Sequence, residues 1–277
     1  MLVFPNCKIN LGLHVTRKRP DGFHDIETVF YPVSWCDALE IIDSGEAGKP
    51  FELSQSGIKV DGDAEDNIIY KAWKIIASQK QLPAIKVHLH KNIPMGAGLG
   101  GGSSNAAAFI HALNEKFSLG YSHLQKIDLA AQLGSDCPFF IHNSPTLATG
   151  KGDVFSPLQA DLSAYHILLA YPNVHSNTKE AYEGLVPKQP QHDLRSVIET
   201  QPISRWKDLL VNDFELSIFK KYPAVEALKN NFYAAGALYA CMSGSGSAVF
   251  GIFQDVPKIN FPAGYSYYLQ NPGTNIL

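Results

Sequence analysis

Pro94-Met95-Gly96-Ala97-Gly98-Leu99-Gly100-Gly101-Gly102-Ser103-Ser104-Asn105-Ala106-Ala107 places five glycines within seven positions, directly ahead of an apolar helical pattern. On its N-terminal side Ile85, Val87 and Leu89 alternate with Lys86, His88 and His90, the period of a half-buried strand. On its C-terminal side Ala106, Phe109, Ile110, Leu113 and Phe117 recur at helical spacing. The order is strand, glycine loop, helix, with the helix expected to begin near Ser103. Glycines let successive backbone N–H groups close on a ligand, and a helix start adds free donors and the positive end of a dipole, about half a charge. A polyphosphate is the guest this arrangement fits, with Ser103 and Ser104 as further hydroxyl contacts to phosphate or Mg²⁺. Gly96 to Gly101 also satisfies G-x-G-x-x-G, the dinucleotide fingerprint. Against that alternative, no acidic residue ends a second strand about 20 residues on. The Walker pattern fails as well, since no Gly-Lys-Ser/Thr follows.

Further out, the apolar runs Ile9–Val15 and Glu27–Val33 flank a polar turn containing Pro20 and Asp21-Gly22, which reads as a pair of strands. Asp66 precedes Ile68, Ile69, Ala72, Ile75 and Ile76, and predicts a capped helix packed on that early sheet. Ser122 with Gln125 predicts a capping box, and Gly134 the stop of that second helix. Beyond residue 155 come a strand over His166–Ala170, helical patterns near 204–211 and 223–234, and a Gly-Ser loop before a final strand over Ala248–Phe253. The order of elements implies an α+β chain with mixed sheets and a domain boundary near 155.

With 277 residues, 45% hydrophobic and 18% charged, the chain has the composition of one large or two ordinary globular domains. A formal charge of −3 supplies no basic field for nucleic acid or anionic lipid. Cys7, Cys36, Cys137 and Cys241 form no C-x-x-C pair, and no apolar run reaches the roughly 18 residues of a membrane span. A soluble, reduced, cytoplasmic protein without a leader is expected. His88 and His90 share a strand face, but no third ligand is spaced nearby, so they are read as polar strand residues.

The glycine loop, together with Pro5-Asn6-Cys7-Lys8-Ile9-Asn10-Leu11 and Met242-Ser243-Gly244-Ser245-Gly246-Ser247-Ala248-Val249-Phe250, resembles the three ordered motifs of the GHMP kinase superfamily, the group of galactokinase, homoserine kinase and mevalonate kinase. These motifs span nearly the whole chain. Arg19-Pro20-Asp21-Gly22-Phe23-His24-Asp25-Ile26-Glu27-Thr28 and Leu133-Gly134-Ser135-Asp136-Cys137-Pro138-Phe139-Phe140 are most similar to the branch whose substrate is a cytidine diphosphate sugar alcohol. The sequence departs from that branch at Phe23, where Tyr is usual, at Cys7, where Ala is usual, and at Ser135 and Cys137.

The resemblance implies an α+β, two-domain architecture: an ATP-binding domain over 1–155, a ferredoxin-like domain over 156–277, and the active site in the cleft between them. It implies phosphorylation of the alcohol's C2 hydroxyl by ATP with Mg²⁺, in non-mevalonate isoprenoid precursor synthesis, by a monomer or weak homodimer. Asp136 would be the base or the carboxylate that orients the hydroxyl. Lys8 would form a hydrogen-bonded pair with it, keep it charged and approach the moving phosphoryl group. Taken alone, Asp136 reads as an ordinary helix-exit residue and Lys8 as a solvated strand residue. Asn10, two positions along the same strand face, would reach the same substrate. The resemblance gives His24 and Phe23 the cytosine, by hydrogen bond and stacking, with Tyr182 as a second stacking ring. Pro94, Gly96, Gly98, Leu99, Gly100, Gly101, Gly102, Ser103, Ser104 and Asn67 would hold the nucleotide, and Gly244 and Ser245 would approach from across the cleft. No carboxylate ligand for Mg²⁺ is identified, which leaves Ser104. Other readings are a GHMP kinase for a different small alcohol, a pyridine-nucleotide oxidoreductase, and a nucleotide binder without catalysis.

Overall fold

The computed structural model describes residues 1–45, 49–60 and 62–274. In chain order come β1 (Leu2–Val3), β2 (Asn6–Lys18), β3 (His24–Cys36), β4 (Ala38–Asp43) and β5 (Phe51–Gly57). A 3-10 turn leads into α1 (Ile68–Ala77), followed by β6 (Ile85–Lys91), α2 (Gly101–Lys116), α3 (His123–Ala131), α4 (Cys137–His142), β7 (Thr146–Thr149) and β8 (Val154–Pro157). The remainder is β9 (His166–Tyr171), α5 (Thr178–Tyr182), α6 (Leu194–Thr200), α7 (Ile203–Leu209), α8 (Glu215–Lys221), α9 (Pro223–Ala234), β10 (Tyr239–Met242), β11 (Val249–Phe253) and β12 (Ser266–Gln270).

Among the described residues the strands form three sheets. A mixed sheet runs β1-β4-β6-β5, with β5 and β6 parallel, and an antiparallel sheet runs β2-β3-β7-β8. The third, β10-β11-β9-β12, is antiparallel, and the helices α5 to α9 separate its first strand, β9, from its second, β10. That strand order is ferredoxin-like. Among the described residues no helix lies between β11 and β12, so the second crossover helix of that pattern is replaced by a loop.

β2 is buried over its first ten residues. One face of it, Cys7, Ile9 and Leu11, joins Val29, Tyr31 and Val33 of β3 and meets Ile167, Leu169, Phe250, Ile252 and Trp206 of the second half of the chain. The alternation of a strand then turns Lys8 and Asn10 the other way. A second core unites the β4–β6 sheet with α1 to α4. The third gathers Leu13 and Val15 with α5, α8, α9 and β9 to β11. The β2–β3 hairpin thus belongs to the cores of both halves. A boundary at 155 falls inside β8.

Several details differ from the sequence reading. The cap of α1 is Asn67, whose Oδ1 accepts the Ile69 N–H over 2.9 Å, while Asp66 ends the preceding 3-10 turn. α1 packs on α2 and the β4–β6 sheet rather than on the early hairpin. α2 begins at Gly101, two residues before Ser103, and β12 follows the strand expected to be last. The Ser122–Gln125 capping box is present on α3. His88 and His90 are hydrogen-bonded to Ser54 and Ser56 on β5, and no group of three metal-ligating side chains is found among the described residues. The four cysteines are free. No described helix is long and apolar enough to cross a membrane.

Candidate active site

The glycine loop passes from β6 to α2 along the wall of a cavity of about 400 Å³. Pro94, Gly96, Leu99, Gly100, Gly101, Gly102, Ser103 and Asn67 border this cavity. Gly98 and Ser104 do not. Ser104 is buried and borders a separate apolar groove lined by Phe4, His111 and Phe140. Gly98 turns away to meet the last Gly-Ser loop: a Cβ built there would fall 1.9 Å from the Ser243 carbonyl oxygen. At φ +78° and with that approach, the position requires glycine. The Ala248 N–H donates to the Ala97 carbonyl over 3.1 Å and Ser243 Oγ donates to the Gly98 carbonyl over 2.9 Å, so the two glycine loops interlock.

Lys8 lies beneath this junction. Its backbone N–H donates to the Leu99 carbonyl over 3.0 Å, and its Nζ donates to the Gly98 carbonyl over 2.9 Å and to Asn10 Oδ1 over 2.7 Å. The ammonium also sits 4.9 Å from the centre of the Phe30 ring. Asn10 is fixed in turn: its Nδ2 donates to Thr28 Oγ1 over 2.9 Å, and its Oδ1 also accepts from Ser243 Oγ over 3.3 Å. Asp136, at the N-terminal cap of α4, brings Oδ2 to 3.8 Å from Lys8 Nζ. That is an ion pair, wider than the hydrogen-bonded pair the sequence implied. The Lys8 side chain is 4% exposed and that of Asp136 is 33% exposed. Burial pushes the Lys8 ammonium below its ordinary range, and the charge of Asp136 opposes that shift.

Among the substrate candidates, His24 stacks on Tyr182, ring centres 4.4 Å apart and planes within 16°, and Tyr182 packs edge-on against Phe214. Phe23 points elsewhere, 60% exposed beneath Lys151 Nζ, which lies 5.2 Å from its ring centre. The hairpin tip that carries both residues is braced by Arg17 and Arg19 on Asp25, which hold that carboxyl below the usual range. Gly244 lies against Gly98 and Asn10, while Ser245 is bonded to the Ser176–Thr178 segment.

Two buried networks escaped the sequence reading. Asp37 pairs with Lys91 and accepts from Asn105 Nδ2 (2.8 Å) and from the backbone N–H groups of Asn92 (2.7 Å) and Ile93 (2.9 Å), anchoring the entry to the glycine loop. Asn212 donates to the carbonyls of Met242 and Gly244, both over 2.8 Å, and Glu215 accepts from the Met242 N–H over 2.9 Å, anchoring the other loop. The only sequence signal for either was a polar residue set among apolar ones.

Residues 67–144 match the model for the GHMP kinases N terminal domain, and residues 192–259 the model for the GHMP kinases C terminal. A 4-diphosphocytidyl-2-C-methyl-D-erythritol kinase of Bacteroides fragilis is 46% identical over 270 residues, covering 96% of this chain and 98% of that protein. The enzyme of the same description from Bacteroides thetaiotaomicron is 49% identical over 254 residues, 92% of each. A crystal structure of 4-(cytidine 5'-diphospho)-2C-methyl-D-erythritol kinase superposes with a TM-score of 0.76 at 28% identity, covering 91% of this chain and 90% of that one. With both family models matched in order around the interlocked loops, and relatives of this identity over nearly its full length, the chain belongs to the 4-diphosphocytidyl-2-C-methyl-D-erythritol kinase family of GHMP kinases.

Proposed function

We propose that this protein transfers the γ-phosphate of ATP to the C2 hydroxyl of 4-diphosphocytidyl-2-C-methyl-D-erythritol, giving the 2-phosphate and ADP. In the direct in-line step, the bond from γ-phosphorus to the β–γ bridging oxygen breaks as the bond to the C2 oxygen forms. Asp136 accepts or orients the hydroxyl proton, and Lys8 faces the oxygen and the moving phosphoryl group with a fixed positive charge. The carrying observation is that ammonium: buried, fixed by the Gly98 carbonyl and Asn10, and 3.8 Å from a carboxylate that is still accessible. A lysine ammonium has three donors, and two are spent on Asn10 and Gly98. The third remains for the reaction.

The glycine loop and the start of α2 hold the polyphosphate with backbone N–H groups, and Asn67 and Pro94 border the nucleotide end of the same cavity. Mg²⁺ would neutralise phosphate charge. Its ligands would be phosphate oxygens and water, with Ser103 on the cavity wall and Ser104 behind it. The His24–Tyr182 pair supplies a flat aromatic surface for the cytosine. We draw the boundary of the ATP-binding domain after Pro157, where β8 ends.

The test is ADP release from ATP and Mg²⁺ with 4-diphosphocytidyl-2-C-methyl-D-erythritol, homoserine and mevalonate supplied in parallel. Turnover with the cytidyl substrate alone is expected. Turnover with homoserine or mevalonate instead would replace the substrate assignment. ATP binding without turnover on any of the three would overturn the proposal.

A further inference from the structure

The segment from Val174 to Thr178, between β9 and α5, straps the Ser243–Ser247 loop in place. Ser247 Oγ donates to the Val174 carbonyl, Ser176 Oγ donates to the Ser245 carbonyl over 3.0 Å, and the hydroxyls of Thr178 and Ser245 lie 3.4 Å apart. The loop held in this way is the one interlocked with Gly98. The same strap lays the imidazole of His175 against the first glycine of the phosphate-loop candidate: a Cβ built on Gly96 falls 2.5 Å from His175 Cε1 and 2.7 Å from its Nδ1. Gly96 borders the nucleotide cavity. His175 is exposed, and no hydrogen bond or ion pair among the described residues holds its ring.

His175 stands against Gly96, behind the cavity wall rather than on it, delivered there from the other half of the chain. We propose that His175 is a nucleotide-binding residue, donating a ring N–H to a phosphate oxygen of the ATP held on the glycine loop. This rests on the kinase reading above. An imidazole carries at least one N–H in either charge state, so the contact is available to the neutral and the protonated ring alike. The nucleotide site is then completed from both halves of the chain: backbone donors from the glycine loop and a side-chain donor from the strap.

The test compares the affinity for ADP, by titration calorimetry, of the unaltered protein with His175→Ala, His175→Phe and His175→Gln, with thermal melting of each. The phenylalanine keeps a flat ring against Gly96 but has no donor, and the glutamine has a donor but no ring. His175→Ala and His175→Phe are expected to weaken ADP about fivefold to tenfold, the worth of one such hydrogen bond, with His175→Gln recovering part of the loss. Melting should move little, since the residue is exposed. Binding by His175→Phe within about twofold of the unaltered protein would reduce the ring to a spacer and overturn the inference. So would undiminished binding by His175→Ala. Failure of the unaltered protein to bind ADP would instead overturn the kinase reading, and this one with it.

Discussion

Gly98→Ala tests the interlock of the two glycine loops. The new methyl carbon would lie 1.9 Å from the Ser243 carbonyl oxygen and 2.8 Å from its carbon, where about 3 Å is the closest approach a real side chain tolerates. Both obstacles are backbone, so no rotamer change relieves them. The loops must separate by about 1 Å. A φ of +78° adds strain of about 1–2 kcal/mol for an alanine. Separation also stretches the bonds from Ser243 Oγ and Lys8 Nζ to the Gly98 carbonyl, each worth about 1 kcal/mol net. A loss of about 2–4 kcal/mol is expected, seen as a fall in Tm of roughly 5–15 °C for a chain of this size. Turnover should fall more steeply than stability, since a displacement of about 1 Å at the reacting groups costs on the order of 10²-fold. The assays are thermal unfolding by circular dichroism and ADP release with the cytidyl substrate. A variant within about 2 °C and twofold of its parent would refute the interlock as the device that positions Lys8.

Turnover should also decline with rising pH in a limb that sets in below lysine's ordinary 10.5, because burial makes Lys8 give up its proton early and the charged form is the active one. In Asp136→Asn, which removes the charge that opposes this shift, the limb of the residual activity should move lower still; a limb that moves higher would contradict the assignment. Asp37→Ala leaves Lys91 buried without its carboxylate and strands the Asn92 and Ile93 N–H groups, a loss of about 3–5 kcal/mol by chemical denaturation. A cost under about 1 kcal/mol would mean the pair is not the anchor described. Tyr182→Ala should raise the KM for the cytidyl substrate about tenfold, the worth of one stacking partner, and leave the KM for ATP within about twofold. Equal effects on both substrates in initial-rate kinetics would remove Tyr182 from the cytosine site.

The parts legible in the sequence are those whose cause is local. The alternation at Ile85 to His90, the helical stripe from Ala106 to Leu113 and the Ser122–Gln125 box each encode their element within a few residues, and the structure has each in place. The strand–loop–helix order around the glycine loop was legible for the same reason. Asp66 and Asn67 show the limit of such reading: adjacent residues, both good caps, and only the fold decides that the Asn67 oxygen reaches Ile69 N–H. What stayed hidden was long-range. Asp37 reaches Lys91 across 54 residues, Asn212 reaches Gly244 across 32, and His175 meets Gly96 from the other half of the chain. Asp37 and Asn212 each stand next to apolar residues, but nothing in the local sequence names the distant partner. The strand order β10-β11-β9-β12 was out of reach of the local pattern, since pairing partners separated by a helical run leave no local mark, and only the family resemblance implied it.

The three motifs that carried the family resemblance are far apart in the chain, and the structure gives a physical reason why they occur together. Two donors, Lys8 Nζ and Ser243 Oγ, converge on the same two acceptors, the Asn10 amide oxygen and the Gly98 carbonyl. Lys8 and Asn10 come from the first motif, Gly98 from the second and Ser243 from the third. Each of these acceptors is shared between donors from two different motifs, so a change in any one of them would alter the position of the ammonium. Asp136, from a fourth segment, stays outside this square: a third of its side-chain surface is exposed and its oxygen stands 3.8 Å from the ammonium. The charge is therefore fixed by the fold before any ligand arrives. Under the proposed reaction the carboxylate would be the group that meets a hydroxyl entering the gap, the division of labour expected when catalysis rests on preorganised charge and one proton acceptor.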